Sequence, residues 1–398
     1  MKKSILLLLI LAALAAVLSF SVSTSPVSAA EEPSLTEEEA REELLKNIEE
    51  LLNSLDTDAL EDYLSSLGEW EGGSLKETLY SLISGDGKLD YASLADGIIS
   101  LVWEEASALL PAFAVILAAA LICGILNSAK IDILHSSMSD IITFVGYLAV
   151  GGAVLGSFIT AVSGAFSAMQ GMKRQMDLIY PLLLTLMAAS GGTVSAAVYQ
   201  PAVAFLSSGL SGLFLSVVFP AAILMLVLSL VGNLSDEIRT EKLSAFFESV
   251  IKWLIGLSCG LFGLFLSVQG LTAAQYDGIS LRAAKYALSS SVPIVGSFLS
   301  GGVDLVLAGS ALIKNALGSF AVFLLAATAL KPLLLLAAFQ LFLRFSAAAT
   351  EPVGGKIPHF LSKAAGCMGY FIAGFLCIAF LYFLTLVLLI CSSGVIVT

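Results

Sequence analysis

Charged residues are scarce in this sequence. Only 13% of its 398 residues are charged, whereas 58% are hydrophobic, and a soluble globular chain has about 25% charged residues. Water cannot accommodate so large an apolar surface, and a bilayer needs roughly 20 apolar residues for each helical crossing. The composition therefore predicts an all-α, polytopic helical membrane protein.

Cysteine is also scarce, and its spacing excludes two classes of site. There are 5 cysteines, none forms a CxxC pair, and all lie in apolar stretches. This pattern favours small buried side chains over a disulfide framework, and it gives no signal for a metal or redox site. The five are Cys123, Cys259, Cys367, Cys377 and Cys391.

The signatures of common enzymes are missing. The sequence has no HExxH and no Walker A loop, and its two histidines, His135 and His359, are far apart. Ser249-x-x-Lys252 matches the spacing of a Ser/Lys dyad, but it lies in an amphipathic segment. A motif outside its structural context is weak evidence for a catalytic site. We predict no enzyme, no cofactor and no ATP site, so a partner would have to supply any ATP for transport.

The first 30 residues have the pattern of a cleaved signal peptide. Lys2 and Lys3 precede an apolar stretch over residues 5–18, and Ser28-Ala29-Ala30 supplies small residues before Glu31. This order is typical of secretory signals, and the apolar stretch is short for a transmembrane helix. The alternative is an uncleaved first anchor, and both place the following segment outside the cytoplasm.

Residues 31–105 form an acidic extracytoplasmic segment. They carry 21 acidic and 4 basic side chains, so their charge is −17, compared with −12 for the whole chain. Such a charge does not suit nucleic acid. Leucines repeat at helical spacing from Leu44 to Leu67, which predicts two or three short amphipathic helices that need a partner surface.

Residues 106–398 form the membrane domain, with about seven to eight spans. Residues 232–250 are amphipathic and suit a helix in the plane of the interface, and residues 292–313 form either an eighth crossing or a broken, re-entrant hairpin. The spans are predicted near 107–128, 139–165, 178–199, 203–231, 250–271, 318–343 and 366–390.

Two stretches of this domain contain helix-breaking residues. Backbone that leaves the helix at membrane depth is tolerated only where protein or a watery cavity covers it, so these stretches are candidates for the functional core. The first contains Pro181, Gly191, Gly192 and Pro201, and the second contains Pro293, Gly301 and Gly302.

Two intramembrane charges form the candidate site. Lys331 lies inside the predicted span 318–343, and Asp304 is the only acid between Val292 and Ala311. An ion pair would reduce the cost of burying both, whereas the alternative is a lysine that reaches the interface. Gly152-x-x-x-Gly156 and Gly256-x-x-x-Gly260 predict close helix packing within the chain.

Seven crossings conflict with the distribution of basic residues. If residues 31–105 are outside, most of the basic residues in the loops also fall outside, which reverses the usual rule that they stay in the cytoplasm. Either one predicted span is wrong or packing overrides the rule.

Two stretches of the membrane domain are long and unusual. They are YPLLLTLMAASGGT at 180–193, continuing to Gln200-Pro201, and DGISLRAAKY at 277–286, continuing through VPIVG at 292–296 to Lys314-Asn315. Both resemble the stage III sporulation protein AE family of endospore-forming bacteria. The order of signal peptide, short polar segment and hydrophobic spans also agrees. The resemblance carries no catalytic residues.

The resemblance implies a setting and partners. The protein would lie in the mother-cell-derived membrane around the forespore, with residues 31–105 in the intermembrane space. Its partners would be other stage III sporulation A-operon proteins, including a cytoplasmic ATPase and ring-forming subunits, and indirectly stage II sporulation protein Q.

Two functional hypotheses follow. The first is a membrane subunit of a channel or secretion complex between mother cell and forespore. The second is a stand-alone secondary transporter or permease for a small solute, with a midplane site between broken helices. Internal repeat symmetry would favour the second, but the halves show no convincing sequence repeat.

Overall fold

The described part of the chain is helical. The computed structural model describes residues 37–66, 74–84, 103, 107–125, 136–234, 240–265, 295–353 and 356–392, and the regular elements in these ranges are helices. Six of these helices are long and apolar enough to cross a membrane, so the prediction of a helical, polytopic membrane protein is confirmed. The predicted signal peptide, Pro293 and residues 277–286 lie outside the described residues.

Three short amphipathic helices precede the membrane helices: α1 (Glu37–Ser54), α2 (Asp58–Ser66) and α3 (Leu75–Ser84). We call them the N-terminal cap. Within the cap, Glu61 connects α2 to α3. Its carboxylate accepts 3.0 Å hydrogen bonds from the Ser74 hydroxyl and the Leu75 amide at the start of α3. The side chain thereby satisfies an amide that a helix start leaves without an intrahelical partner.

The remaining helices are much longer. They are α4 (Ser107–Ile125), α5 (Ser136–Ala189), α6 (Thr193–Ala204 through Phe219–Leu234), α7 (Glu241–Phe265), α8 (Val295–Thr350) and α9 (Ile357–Cys391). Two stretches of α6, Phe205–Leu210 and Phe214–Val218, are π-helical. A short 3-10 turn, Glu351–Val353, follows α8.

The antiparallel pair of α5 and α8 forms the centre of the bundle. The rings of Phe158 and Phe339 lie 6.5 Å apart, and one turn after Gly171 the Gln175 amide donates a 2.6 Å hydrogen bond to Thr328. α9 runs parallel to α5, as the ring contacts Tyr147–Phe360 and Tyr180–Tyr382 show.

The N-terminal cap defines one end of this bundle. On α8, Gly309 lies against Leu51 and Ile48 of α1, and on α5 the Tyr63 hydroxyl donates to the Gly171 carbonyl. The end of α9 at Cys391 and the α5–α6 turn lie at this end, because α9 is antiparallel to α8 and parallel to α5. We call it the capped end, and the end that holds the α8–α9 connection is the uncapped end.

Three sequence predictions about the spans and one about helix packing are wrong in detail. The predicted third span, 178–199, is no separate crossing, because residues up to 189 finish α5 and residues from 193 begin α6. Residues 295–313 form no re-entrant hairpin, because they continue into α8 as one helix. The charged residues 241–250 belong to the candidate span α7 and not to a separate interfacial helix.

The fourth wrong prediction is the close packing of the two glycine pairs within the chain. A Cβ atom added at Gly152, Gly156, Gly256 or Gly260 would meet nothing within 4 Å. These glycines therefore lie on open faces of α5 and α7. The close approaches within the bundle use Gly146, Gly151 and Gly318 instead, against Cys123, Leu230 and Ile390.

The cysteines follow the prediction only in part. Cys123 and Cys367 are buried, as predicted, but Cys391 is exposed. Cys259 of α7 and Cys377 of α9 are paired as a disulfide, with their Cα atoms 6.7 Å apart. The sequence offered no sign of this pair, because the two residues are 118 positions apart.

The first prediction concerns the sides of the membrane. If all six candidate helices cross it, the cap and Cys391 lie on one side and residue 351 on the other. In intact non-sporulating cells that express the chain in the cell membrane, an impermeant thiol reagent should then label Cys391, and Ser65→Cys in a Cys391→Ser background. Glu351→Cys in that background should react only after permeabilisation, and its labelling together with Ser65→Cys would contradict the arrangement.

Candidate functional site

Four of the predicted helix-breaking residues come together at the α5–α6 hairpin. Gly191 has a φ of 93°, a left-handed conformation that glycine adopts without strain. The amides of Gly191 and Gly192 donate to Ala188 and Met187 carbonyls at 3.1 and 2.9 Å, which terminates α5 as a glycine C-cap does. Pro181 and Pro201 lie inside α5 and α6 and end neither helix.

The second predicted group does not form a broken segment. Gly301, Gly302 and Asp304 lie within the continuous helix α8. A glycine inside a helix costs only about 1 kcal/mol, which packing of a long helix easily offsets. Pro293 lies outside the described residues.

The two residues of the predicted ion pair, Asp304 and Lys331, are far apart along one helix. Both residues are on α8, and their 27-residue separation corresponds to about 40 Å along a helix. The Lys331 side chain is exposed, in agreement with the alternative of a lysine that reaches an interface. The error came from treating 292–313 and 318–343 as separate segments that could face each other.

Among the side chains of α8 that the structure describes, the buried charge is Lys314, which the sequence did not single out. Its side chain has 0% exposure, and its ammonium donates hydrogen bonds of 3.1 and 2.8 Å to the Leu389 and Ile390 carbonyls. These carbonyls end α9 and have no intrahelical donor. A cation is also favourable at the negative end of a helix dipole, so Lys314 closes the end of α9 against α8.

Gly318, one turn after Lys314, allows this contact. A Cβ atom there would overlap the Ile390 side chain. The spacing of a lysine and a glycine at i and i+4 inside an apolar stretch was the only available sequence signal. It was missed because the two predicted segments ended before Lys314 and began after it.

A polar junction joins the N-terminal cap to the central helices. The Tyr63 phenol, 3% exposed, donates to the Gly171 carbonyl at 3.3 Å and accepts from the Gln175 amide at 3.2 Å. The Arg174 guanidinium lies 5.4 Å from the centre of the Tyr63 ring. Burial raises the pKa of Tyr63, although the Gln175 hydrogen bond and Arg174 oppose this, so the phenol stays protonated and able to donate at neutral pH.

A groove runs between α5 and α6 below their turn, and we call it the hairpin groove. Its volume is about 630 Å³. Its floor holds buried side chains, including Tyr180 and Val203, and its rim holds exposed ones, including Asp177 and Ala197. The rim and floor are mostly apolar, and Asp177 is the charged residue among those that line it.

Neither a metal centre nor a Ser/Lys site emerges in the described residues. No three His, Cys, Asp or Glu side chains in these ranges could hold one metal ion. The Lys252 ammonium donates to Glu248, its neighbour one turn earlier, and Tyr370 of α9 donates to the same carboxylate at 2.6 Å. Lys252 thus helps to dock α7 on α9.

Comparisons with known proteins agree on one family. The family model described as Stage III sporulation protein AE matches residues 73–394. The chain is 27% identical over 346 residues to the Stage III sporulation protein AE of Bacillus subtilis (strain 168), which covers 86% of this chain and 87% of that protein. No solved structure matches.

The second prediction tests the closure of α9 by Lys314. Lys314→Met keeps the apolar stem but removes the ammonium donor from the Leu389 and Ile390 carbonyls, of which Leu389 keeps a 3.4 Å hydrogen bond from Ser392, a loss of about 1–3 kcal/mol. We expect a lower midpoint of thermal unfolding in detergent and less protein in the membrane. Lys242→Met, at an exposed position on α7, is the control, and equal midpoints for the two variants would refute the role of Lys314.

The third prediction tests the polar junction. Tyr63→Phe removes one hydroxyl that bonds to two central-helix groups, which costs about 1 kcal/mol for each lost bond. The cap should undock more often, so limited proteolysis should cleave α1–α3 several-fold faster. Tyr80→Phe removes a hydroxyl from a half-buried tyrosine of the same cap, and it should leave the rate unchanged. Equal acceleration by both would show that the junction does not hold the cap.

Proposed function

This chain belongs to the stage III sporulation protein AE family, and we propose that it is a membrane subunit of a channel or secretion complex that joins mother cell and forespore. In this proposal it lies in the mother-cell-derived membrane around the forespore. The N-terminal cap faces the intermembrane space, after removal of residues 1–30 as a signal peptide. The protein is required for development after engulfment.

The length of the central helices is the observation that best supports the proposal. The apolar spans in α5 and α8 are 46 residues each, which corresponds to about 69 Å of helix. The hydrocarbon core of a bilayer is about 30 Å thick. Since the cap packs on the same stretch of α5 and α8 that contains the excess length, we infer that this stretch projects from the membrane toward a partner in the gap.

The side assignment also fits the basic residues. Six crossings with the cap outside put the α4–α5, α6–α7 and α8–α9 connections in the cytoplasm. These connections contain Lys130, Arg239 and Lys356 in the sequence, as the positive-inside rule requires. The conflict in the seven-span count came from counting 178–199 as a crossing of its own.

We propose that partners supply the energy and the wider pore. The cytoplasmic connections would face an ATPase of the same operon, and the projecting end would face ring-forming subunits and, through them, stage II sporulation protein Q. The residues of this chain would position these parts and contribute no catalysis of their own.

The stand-alone transporter is the weaker hypothesis. It required a pair of broken helices that share a midplane site. One member of that pair, residues 295–313, is part of the continuous helix α8, and the glycine turn of the other lies at the capped end of the bundle.

The fourth prediction separates the two functions. Deletion of the gene should arrest development after engulfment, and the purified chain in liposomes should show no saturable solute flux, because the complex needs its partners. An Ala30→Leu variant, which disrupts the predicted cleavage site, is a further check on processing. Saturable uptake by the purified chain would favour the transporter, and normal spore formation in the deletion strain would refute the sporulation role.

A further inference from the structure

The surface around the hairpin groove differs from the rest of the bundle. Across residues 160–204, all of which are described, no large apolar side chain is exposed. The peripheral helices carry many, such as Ile122 on α4 and Leu261 on α7, with 59% and 56% exposure. Lipid-facing helices carry such apolar side chains, so residues 160–204 fit a lipid contact less well than the peripheral helices do.

The rim of the groove is built for a close approach by another helix. Small side chains line its α6 side, including Ala197 and Ala204, and on α5 Ala188 lies beside the turn. Small residues let two helix backbones come near each other. From Asp177 to Ala188 the groove follows 11 residues, or about 16 Å of helix, which equals three turns of a helix laid along it.

The charge of Asp177 limits what kind of helix would fit. The carboxylate is exposed at the end of the groove that is farther from the α5–α6 turn, and no ion pair involves it among the described residues. Helices that bind in grooves present an apolar face with anchors at i, i+3 or i+4, and i+7. A lysine or arginine at one end of such a face would meet the Asp177 carboxylate.

We propose that the hairpin groove is a docking site for one amphipathic helix of another protein, with a small-residue apolar face and a lysine or arginine that pairs with Asp177. The proposal rests on the proposed function, since it assumes a multiprotein complex at the capped end. The groove then anchors a neighbouring subunit beside the cap. A second copy of this chain and lipid are the competing occupants.

Site-specific cross-linking in sporulating cells tests the occupant. A photoreactive phenylalanine analogue replaces Ala197 in the groove or, as a control, the exposed Phe323 on α8. The groove position should give a discrete cross-link to a different protein, at a helical segment with a small apolar face and a basic residue. The Phe323 position should give no such product. A cross-link to a second copy, or to lipid alone, at Ala197 would overturn the proposal.

Charge exchange tests the contact itself. Asp177→Lys should reduce spore formation at least tenfold at normal protein abundance, and an aspartate in place of the cross-linked basic residue of the partner should restore it. Ala197→Trp, which fills the groove, should also reduce it. The control is Ile159→Trp, at an exposed position on α5 away from the groove. Wild-type spore counts for both groove variants would overturn the docking site.

The two proposals fail in different ways. If deletion of the whole gene leaves spore formation normal, the proposed function fails, and the cross-link alone decides whether the groove holds a helix. If deletion blocks spore formation but the groove variants do not, only the docking site fails.

Discussion

The length of α5 and α8 is the constraint on which the rest of the structure depends. Each helix has more than 50 residues. Neither is stable alone in water, because an apolar helix must be covered by lipid or protein along its full length. Their antiparallel contact covers the central faces, and α9 and α6 cover the sides. Where these helices extend past the thickness of a bilayer, the polar helices of the cap cover their surface in place of lipid. The acidic segment thus covers the part of α5 and α8 that lipid cannot reach.

Buried polar groups determine how these long helices are aligned. A buried hydrogen bond between two helices favours one axial position, because sliding by a turn would break it at a cost of about 1–3 kcal/mol. Lys314 fixes the end of α9 relative to α8 through two carbonyls. Gln175 fixes α5 relative to α8 through Thr328 and binds Tyr63 with the same amide. Apolar contacts alone would tolerate sliding by a turn, whereas these hydrogen bonds would not.

The sequence predicts the class of fold but not the continuity of its helices. Hydrophobic length identified the membrane helices, and leucine spacing identified the cap, because both signals are local. The same local view interpreted Pro181 and Gly301 as breaks. Neighbouring helices support the backbone around such residues, and that support depends on contacts distant in the sequence. The pairing of Asp304 with Lys331 failed for this reason, and the role of Lys314 was invisible because its acceptors are carbonyls 75 positions away.

The two π-helical stretches of α6 have a consequence for how this chain compares with its relatives. Each hydrogen bond there spans one residue more than in an α-helix, so Phe205–Leu210 and Phe214–Val218 each absorb an additional residue without a bulging loop. A homologue that lacks a residue in one of these stretches would form a regular turn instead and keep both flanking contact faces in phase. Insertions or deletions between positions 205 and 218 in a homologue would therefore change how α6 is wound. The arrangement of the helices in the bundle would stay the same.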